Sequence, residues 1–323
     1  MTQATRPSDF SRIVIDTTVQ PKAVAFPTDA RLMQRAREKL VRLARKQGVT
    51  LRQSYERVGK YALMAHQRYA HAKQFRRANR ELRKLRTYLG RVRRDIIRKI
   101  RDDEGKQAAF AQLLSLSHSV REQRQRQRGK KIYSLHAPEV ECIGKGKVHR
   151  PYEFGVKVSL ATTLHRSAGG QFVTHVKALP GNPYDGHTLA TVIPDIERKI
   201  DASISRIVAD RGYRGHNAPP DHKFKVFVTE QRRGMTKAIK RQMRRRAAVE
   251  PVIGHTKADH RMERNYLVGS AGDAVNAVLA GAGYNFRRLI ALLRRLWRVW
   301  FAIILANLTE AKIPIPTWAV SRR

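Results

Sequence analysis

The chain reads as an α/β protein in which a mixed sheet is flanked by helices and interrupted, after its first strand, by a long basic helical stretch. Three observations predict this. Short β-branched runs alternate with segments of helical period, the pattern of a sheet covered by helices. From about Ala30 to Arg128 there is no proline, and Arg, Lys, Leu, Ala and Gln, all good helix formers, dominate. The 323 residues are 41% hydrophobic, enough to core one large domain or a domain with a big insertion.

Taken in order, Arg12-Ile-Val-Ile-Asp16-Thr-Thr-Val alternates and is β-branched, so it predicts a strand ending near an acid, which Val24 to Phe26 would extend. Pro27-Thr28-Asp29 then reads as a turn and helix N-cap. After the helical stretch, strands are expected over Lys131 to His136, Glu153 to Thr163 and Gln171 to Leu179, the last two joined as a hairpin by a turn containing Gly169-Gly170. A helix follows from His187 to Ile200, then a buried-type strand from Ser205 to Asp210, the turn Arg211-Gly-Tyr-Arg-Gly215, and a short strand from Lys225 to Thr229. The remainder is helical: Thr236 to Arg246, a break at Pro251, and an amphipathic segment from Asn276 to Trp300. On that segment Arg287, Arg288, Arg294, Arg295 and Arg298 recur opposite Leu, Ile and Trp, as on a helix that covers the sheet with a wet basic face.

Charge limits the partners. There are 66 Lys and Arg against 26 Asp and Glu, a net +40, and residues 31–130 hold 30 basic and 8 acidic residues. One-sign charge at this density opposes compaction and is relieved by a polyanion, whose counterions are released as each phosphate is contacted. Nucleic acid is the expected partner, and the tyrosines and Phe75 interleaved with arginines suit it. The pairs Arg76-Arg77 and Arg93-Arg94 are the sharpest DNA-binding candidates. Cys142 is the lone cysteine, which excludes an intramolecular disulfide and a cysteine-based zinc site. The opening MTQATRPSDFSR has no apolar core, and the longest apolar run, Val299 to Ala306, is far short of a membrane span. A cytoplasmic, nucleoid-associated protein without membrane partners is expected.

In so basic a chain, carboxylates at strand ends draw attention. Asp16 and Asp210 both follow β-branched strands, and ligands of open α/β sheets bind beyond the carboxyl ends of strands. If those strands are neighbours, two hard-oxygen groups converge there, and one more acid would complete a site suited to magnesium. Glu250 is the candidate, being the one acid between Gln231 and Lys257. On a single helix, Met243, Arg246, Glu250 and Lys257 share one face, although Pro251 should kink or restart it. Asp29 and Asp185 are the substitutes should one of the three acids fail. Histidines 175, 187, 216 and 255 lack zinc spacing. Gly144-Lys-Gly-Lys147 lacks P-loop spacing and reads as a basic loop.

These residues carry a resemblance. Arg246-Ala-Ala-Val-Glu250 followed by Lys257 is similar to the Y-R-E-K box of DDE-type insertion-sequence transposases, with Met243 where tyrosine is usual. The likeness extends to Val14-Ile-Asp16-Thr-Thr-Val-Gln, to Asp210-Arg-Gly-Tyr-Arg-Gly, to ALPGNPYDGHT at 178–188 and to GYNFRRL at 283–289. The resemblance implies an RNase H-like fold with catalytic Asp16, Asp210 and Glu250 holding two Mg2+ or Mn2+ ions. Asp16 would bridge the ions, and Arg246 and Lys257 would grip phosphates. It implies cleavage of transposon ends and transfer into target DNA by an active complex that is a homodimer. The catalytic domain would then comprise residues 1–29 and 131–270, split by a basic insertion at 30–130 and followed by basic amphipathic helices at 271–323. Two departures stand out: the hundred-residue helical insertion, and only fifteen residues before Asp16, where relatives carry an end-recognising region. A truncated or inactive copy is therefore one expectation. An RNase H-like nuclease without strand transfer, and a non-catalytic DNA-binding remnant, are the alternatives.

Overall fold

The structure is a computed structural model in which the described residues are 4–310, apart from 126, 128, 145, 147–150, 166, 232 and 233. The chain divides into two compact units. One comprises 1–20, 157–267 and 271–323, the other 21–156 and 268–270.

The first unit is built on a mixed sheet. Strand β1 (Arg12–Pro21) starts the chain's core, β3 (Tyr152–Thr163) and β4 (Val173–Leu179) form the expected antiparallel hairpin, and β5 (Arg206–Ala209) and β6 (Val226–Val228) follow. The spatial order is β4-β3-β1-β5-β6. β5 runs parallel to both β1 and β6, with Ile13 opposite Ile207, Val14 opposite Val208 and Ile15 opposite Ala209. A mixed sheet in this order, flanked by helices, is compatible with an RNase H-like transposase fold.

The central position of β1 explains its burial. Ile13, Val14 and Ile15 are all fully buried, so consecutive side chains are covered on both faces and the alternation of a half-wet strand is lost. The strand also does not end near Asp16. Thr17, Thr18 and Val19 keep it extended to Pro21, and Val24 to Phe26 lie outside it.

Helix α5 (Leu189–Ile200) packs Leu189, Val192, Ile193 and Ile196 against Ile13, Ile15, Ile207 and Ala209. Its outer turn is tied to β4 by His175 Nε2 and Asp195 Oδ2 at 2.8 Å, and Lys199 meets the same carboxylate at 3.1 Å. Helix α6 (Lys237–Arg244) begins at Thr236, whose hydroxyl caps Ile239 N–H at 3.3 Å. A 3-10 turn (Arg246–Ala248) leads into α7 (Val249–Ala258). The break is thus at Arg245–Ala248 and not at Pro251. Proline is the third residue of α7, where its missing N–H has no intrahelical acceptor to lose.

Helix α8 (Gly269–Glu310) crosses β4 at Gly281, where a Cβ would sit 2.6 Å from Val176 Cγ2. Asn285 completes the contact by pairing its side-chain amide with both backbone groups of Val173, at 2.9 and 2.8 Å. Ala277, Ala280, Tyr284 and Leu292 are buried, whereas Trp297 and Trp300 are 63% and 55% exposed. The sequence expectation of an apolar side covering the sheet therefore holds only for the first part of α8. From Leu293 to Ile303 its apolar and arginine sides are both exposed.

The second unit holds four helices: α1 (Asp29–Lys46), α2 (Glu56–His71), α3 (Phe75–Lys99) and α4 (Glu104–Glu122). Thr28 caps the first by accepting from Arg31 N–H at 3.3 Å. Met33, Leu40, Leu85, Leu89, Ile96 and Phe110 are fully buried in its core. The strand expected over Lys131 to His136 is not formed. Ile132 is bracketed by the Gln123 side-chain amide, which accepts from its N–H at 3.1 Å and donates to its carbonyl at 3.3 Å, so no strand partner is needed. A short strand that periodicity had not marked, β2 (Glu141–Gly144), pairs antiparallel with residues 152–155. Lys145 and Lys147 of the expected basic loop lie outside the described residues.

Candidate active site

Parallel pairing of β1 with β5 builds the site. The register that sets Ile15 beside Ala209 brings Asp16 and Asp210 side by side one step further on. Asp16 is an interior residue of β1, whereas Asp210 follows the last residue of β5 and leads into a 3-10 turn (Arg211–Tyr213). Glu250 comes from the first turn of α7, where the positive end of the helix dipole favours a carboxylate.

One guanidinium ties the three together. Arg246 stands 3.4 Å from Asp16, 3.8 Å from Asp210 and 3.2 Å from Glu250. The same nitrogen reaches both aspartates, which confines their oxygens to about 7 Å of each other. Exposure is graded across the site: the Asp16 side chain is 18% exposed, Asp210 46% and Glu250 64%. Burial is the largest influence on Asp16 and raises its pKa from 3.8 to about 6; the Thr17 N–H and Arg246 act against this, and the charges of Asp210 and Asp185 add to it.

The set therefore consists of hard oxygen donors, one of them largely buried, grouped around a guanidinium. Such donors fit magnesium or manganese. Among the described residues, no three acidic, histidine or cysteine side chains stand in metal-coordinating array. The guanidinium sits among the three carboxylates and would have to withdraw.

A fourth carboxylate lies next to the site. Asp185 accepts from Lys157 Nζ at 2.9 Å, and its Oδ2 is 3.0 Å from where a Cβ on Gly212 would stand. Gly186 is equally constrained, since a Cβ there would lie 3.2 Å from the Tyr213 carbonyl and 3.3 Å from that of Arg214. The segment around Asp185 and the turn after Asp210 thus interlock through two glycines. Asp29, the other substitute, belongs to the helical unit. It receives a hydrogen bond from Gln123 at 3.1 Å and faces Lys131 at 3.7 Å, as a residue at a helix start does.

The remaining candidates divide. Lys257 is half-buried two turns along α7 from Glu250, and Met243 lies on α6. The break between α6 and α7 means that the four residues do not share the face of one helix. On α3, Arg76, Arg77 and Arg94 are exposed, while Arg93 is half-buried with its Nε enclosed. Arg77 stacks over Tyr69 with its guanidinium carbon 5.8 Å from the ring centre.

Comparison with known proteins bears on the part of the chain from Asp210 onward. A family profile described as a transposase DDE domain matches residues 210–290. An uncharacterised protein, ORF8 in the nfe locus of Rhizobium meliloti, is 54% identical over 74 residues, which are 23% of this chain and 36% of that protein. The chain thus aligns with about a third of that relative's length. No solved structure matches the chain. The profile match begins at Asp210, contains Arg246 and Glu250 and runs into α8, so this quarter of the chain is similar to a transposase DDE domain.

Proposed function

We propose that the protein is a DNA transposase that cleaves element ends and joins them to target DNA, with Asp16, Asp210 and Glu250 as its catalytic acids. The observation that carries this reading is the convergence of all three carboxylates on the Arg246 guanidinium, which lies 230 residues from Asp16 along the chain. The sheet would be the RNase H-like catalytic domain, formed by residues 1–29 and 131–270. Residues 30–130 would be its basic helical insertion, and 271–323 a C-terminal basic extension.

Asp16, Asp210 and Glu250 would hold Mg2+ or Mn2+, two ions in the reading proposed here. When bound, such a pair activates a water or a DNA 3′-hydroxyl and stabilises the leaving oxygen of an in-line displacement. The chain's own contribution is positional. Burial of Asp16 excludes water from one side of the site. Arg246 would pair with a phosphate beside the cut through two parallel N–H···O hydrogen bonds. Lys257 would add a point charge beside the cut. Arg76, Arg77, Arg93 and Arg94 would contact phosphates along the DNA. The active complex would be a homodimer.

The test is a cleavage-and-joining assay on labelled element-end duplex with target DNA. Magnesium-dependent cutting and joining, both lost in Asp16→Asn, Asp210→Asn and Glu250→Gln, is the expected result. Cutting without joining would make the protein a nuclease. Metal-independent DNA binding with neither activity would reduce it to a DNA-binding remnant.

A further inference from the structure

The helical unit gathers like charges that its own packing does not balance. Gly90 is buried in the interior of α3, where alanine would hold a helix better. The space above it is taken by cations. A Cβ on Gly90 would meet Arg121 Nε, reaching across from α4, at 3.0 Å, and Arg94 Nη1, one turn further along α3, at 3.4 Å. The glycine thus leaves room for two guanidiniums against the backbone of α3.

A third guanidinium adjoins them. Arg93 is half-buried, and burial, followed by the charge of Arg121, holds its pKa below the ordinary guanidinium range. One carboxylate answers the cluster: Glu122 accepts from Arg121 Nη1 at 2.5 Å. Asp95, the acid next to Arg94 in sequence, faces Arg98 and Lys99 instead, so among the described residues neither Arg93 nor Arg94 has a salt-bridge partner. The Nε atoms of Arg93 and Arg121 are enclosed without a hydrogen-bond partner, so beyond Glu122 no acceptor draws these groups together. Crowded like charges raise the energy of the empty cluster, and an anion relieves it.

The geometry fits one anion in particular. Arg121 Nε and Arg94 Nη1 flank the same point, so the two guanidiniums stand within about 6.4 Å, a span that one phosphate bridges when two of its oxygens accept charge-assisted bonds of about 2.7–2.9 Å. Arg94 is exposed and the Arg121 side chain is 31% exposed, which leaves the cluster open to a ligand from solvent.

We propose that Arg94 and Arg121 together bind one phosphodiester group of the DNA backbone over Gly90, with Arg93 adding its charge. This rests on the DNA-binding reading of residues 30–130 and deepens it by giving Arg121 and Gly90 a part.

The experiment measures binding of the full chain to a random-sequence duplex across a salt series. Each phosphate neutralised contributes about 0.9 to the slope of log K against log salt. Arg121→Gln is expected to weaken binding several-fold at fixed salt. Combined with Arg94→Gln it should lower the slope by about 0.9, because both groups serve one phosphate, whereas two separate contacts would give about 1.8. Gly90→Glu places a carboxylate within reach of both guanidiniums; it should lower the slope at least as far while the thermal midpoint of the DNA-free protein holds or rises. A parent that binds duplex while Arg121→Gln matches its affinity, or a double variant whose slope is unchanged or falls by about 1.8, refutes the shared site and leaves the wider DNA reading standing. A parent that binds no duplex sinks both. Should Gly90→Glu fail to fold, the two glutamine variants decide alone by those outcomes. Inorganic phosphate at constant ionic strength forms the last arm: a raised thermal midpoint that the double variant loses, with a parental DNA slope in that variant, would assign the site to a free phosphate ion and overturn the proposal.

Discussion

Replacing Asp16 with asparagine is expected to stabilise the metal-free protein, and to do so only where the native carboxylate is charged. Its folded pKa of about 6 exceeds the ordinary 3.8 because burial disfavours the anion more than Thr17 and Arg246 favour it. Between those two values the folded state holds a proton that the unfolded state has released, so stability falls as pH rises through that window. At about 1.36 kcal/mol per pKa unit, the difference comes to about 3 kcal/mol, absent below pH 4 and complete above pH 6. Asparagine retains the shape and the oxygen that Thr17 N–H contacts at 2.7 Å, but it carries no charge. Urea unfolding of parent and variant from pH 4 to 8, with chelator, should therefore show curves that meet at the acid end and separate by up to about 3 kcal/mol at the neutral end. Excess magnesium should close that gap by stabilising the parent alone, through mass action on the folded state. A variant less stable than the parent at pH 8, or a gap that does not vary with pH, would refute the desolvation argument.

Three further outcomes follow from the same geometry. Arg246→Gln removes the cation among the three acids, so the metal-free chain should lose stability near neutral pH while Mn2+ binding tightens; unchanged Mn2+ affinity by titration would show that the guanidinium does not compete for the site. Replacing Arg76 and Arg77 by glutamine should weaken binding to every DNA sequence and lower the slope of log K against log salt by about one unit for each phosphate no longer neutralised, whereas half-buried Arg93 should contribute less than exposed Arg94; equal slopes in filter binding would mean that these charges only face solvent. Asp195→Ala strips buried His175 of its 2.8 Å partner and releases the link between β4 and α5, so a loss of about 2–3 kcal/mol is expected in urea unfolding, and a loss under about 0.5 kcal/mol would make that link incidental.

Much of this arrangement was legible along the chain because it is local. β-branched runs marked β1, β3, β4, β5 and β6, helix formers marked the one stretch that holds α1 to α4, and Thr28 announced a helix start through a side chain that caps the turn it precedes. The acids at 16, 210 and 250 stood out because carboxylates are scarce in so basic a sequence. Other features depended on contacts and boundaries that periodicity does not carry. Whether Lys131 to His136 becomes a strand is settled by the Gln123 amide, which takes both backbone groups of Ile132. Pro251 was read as a break because a periodicity argument does not know where a helix begins, and in the folded chain α7 begins two residues earlier. Arg246 was assigned to phosphate, and only the fold reveals that it stands among all three acids. The registry of β1 on β5 and the glycine-tight approach of the Asp185 segment to the Asp210 turn are likewise tertiary facts. A sequence carries residue types and local propensity, and so it offered the groups of the proposed site; their distances arise from hydrogen-bond register and packing between segments as far apart as the 230 residues from Asp16 to Arg246, which no local pattern encodes.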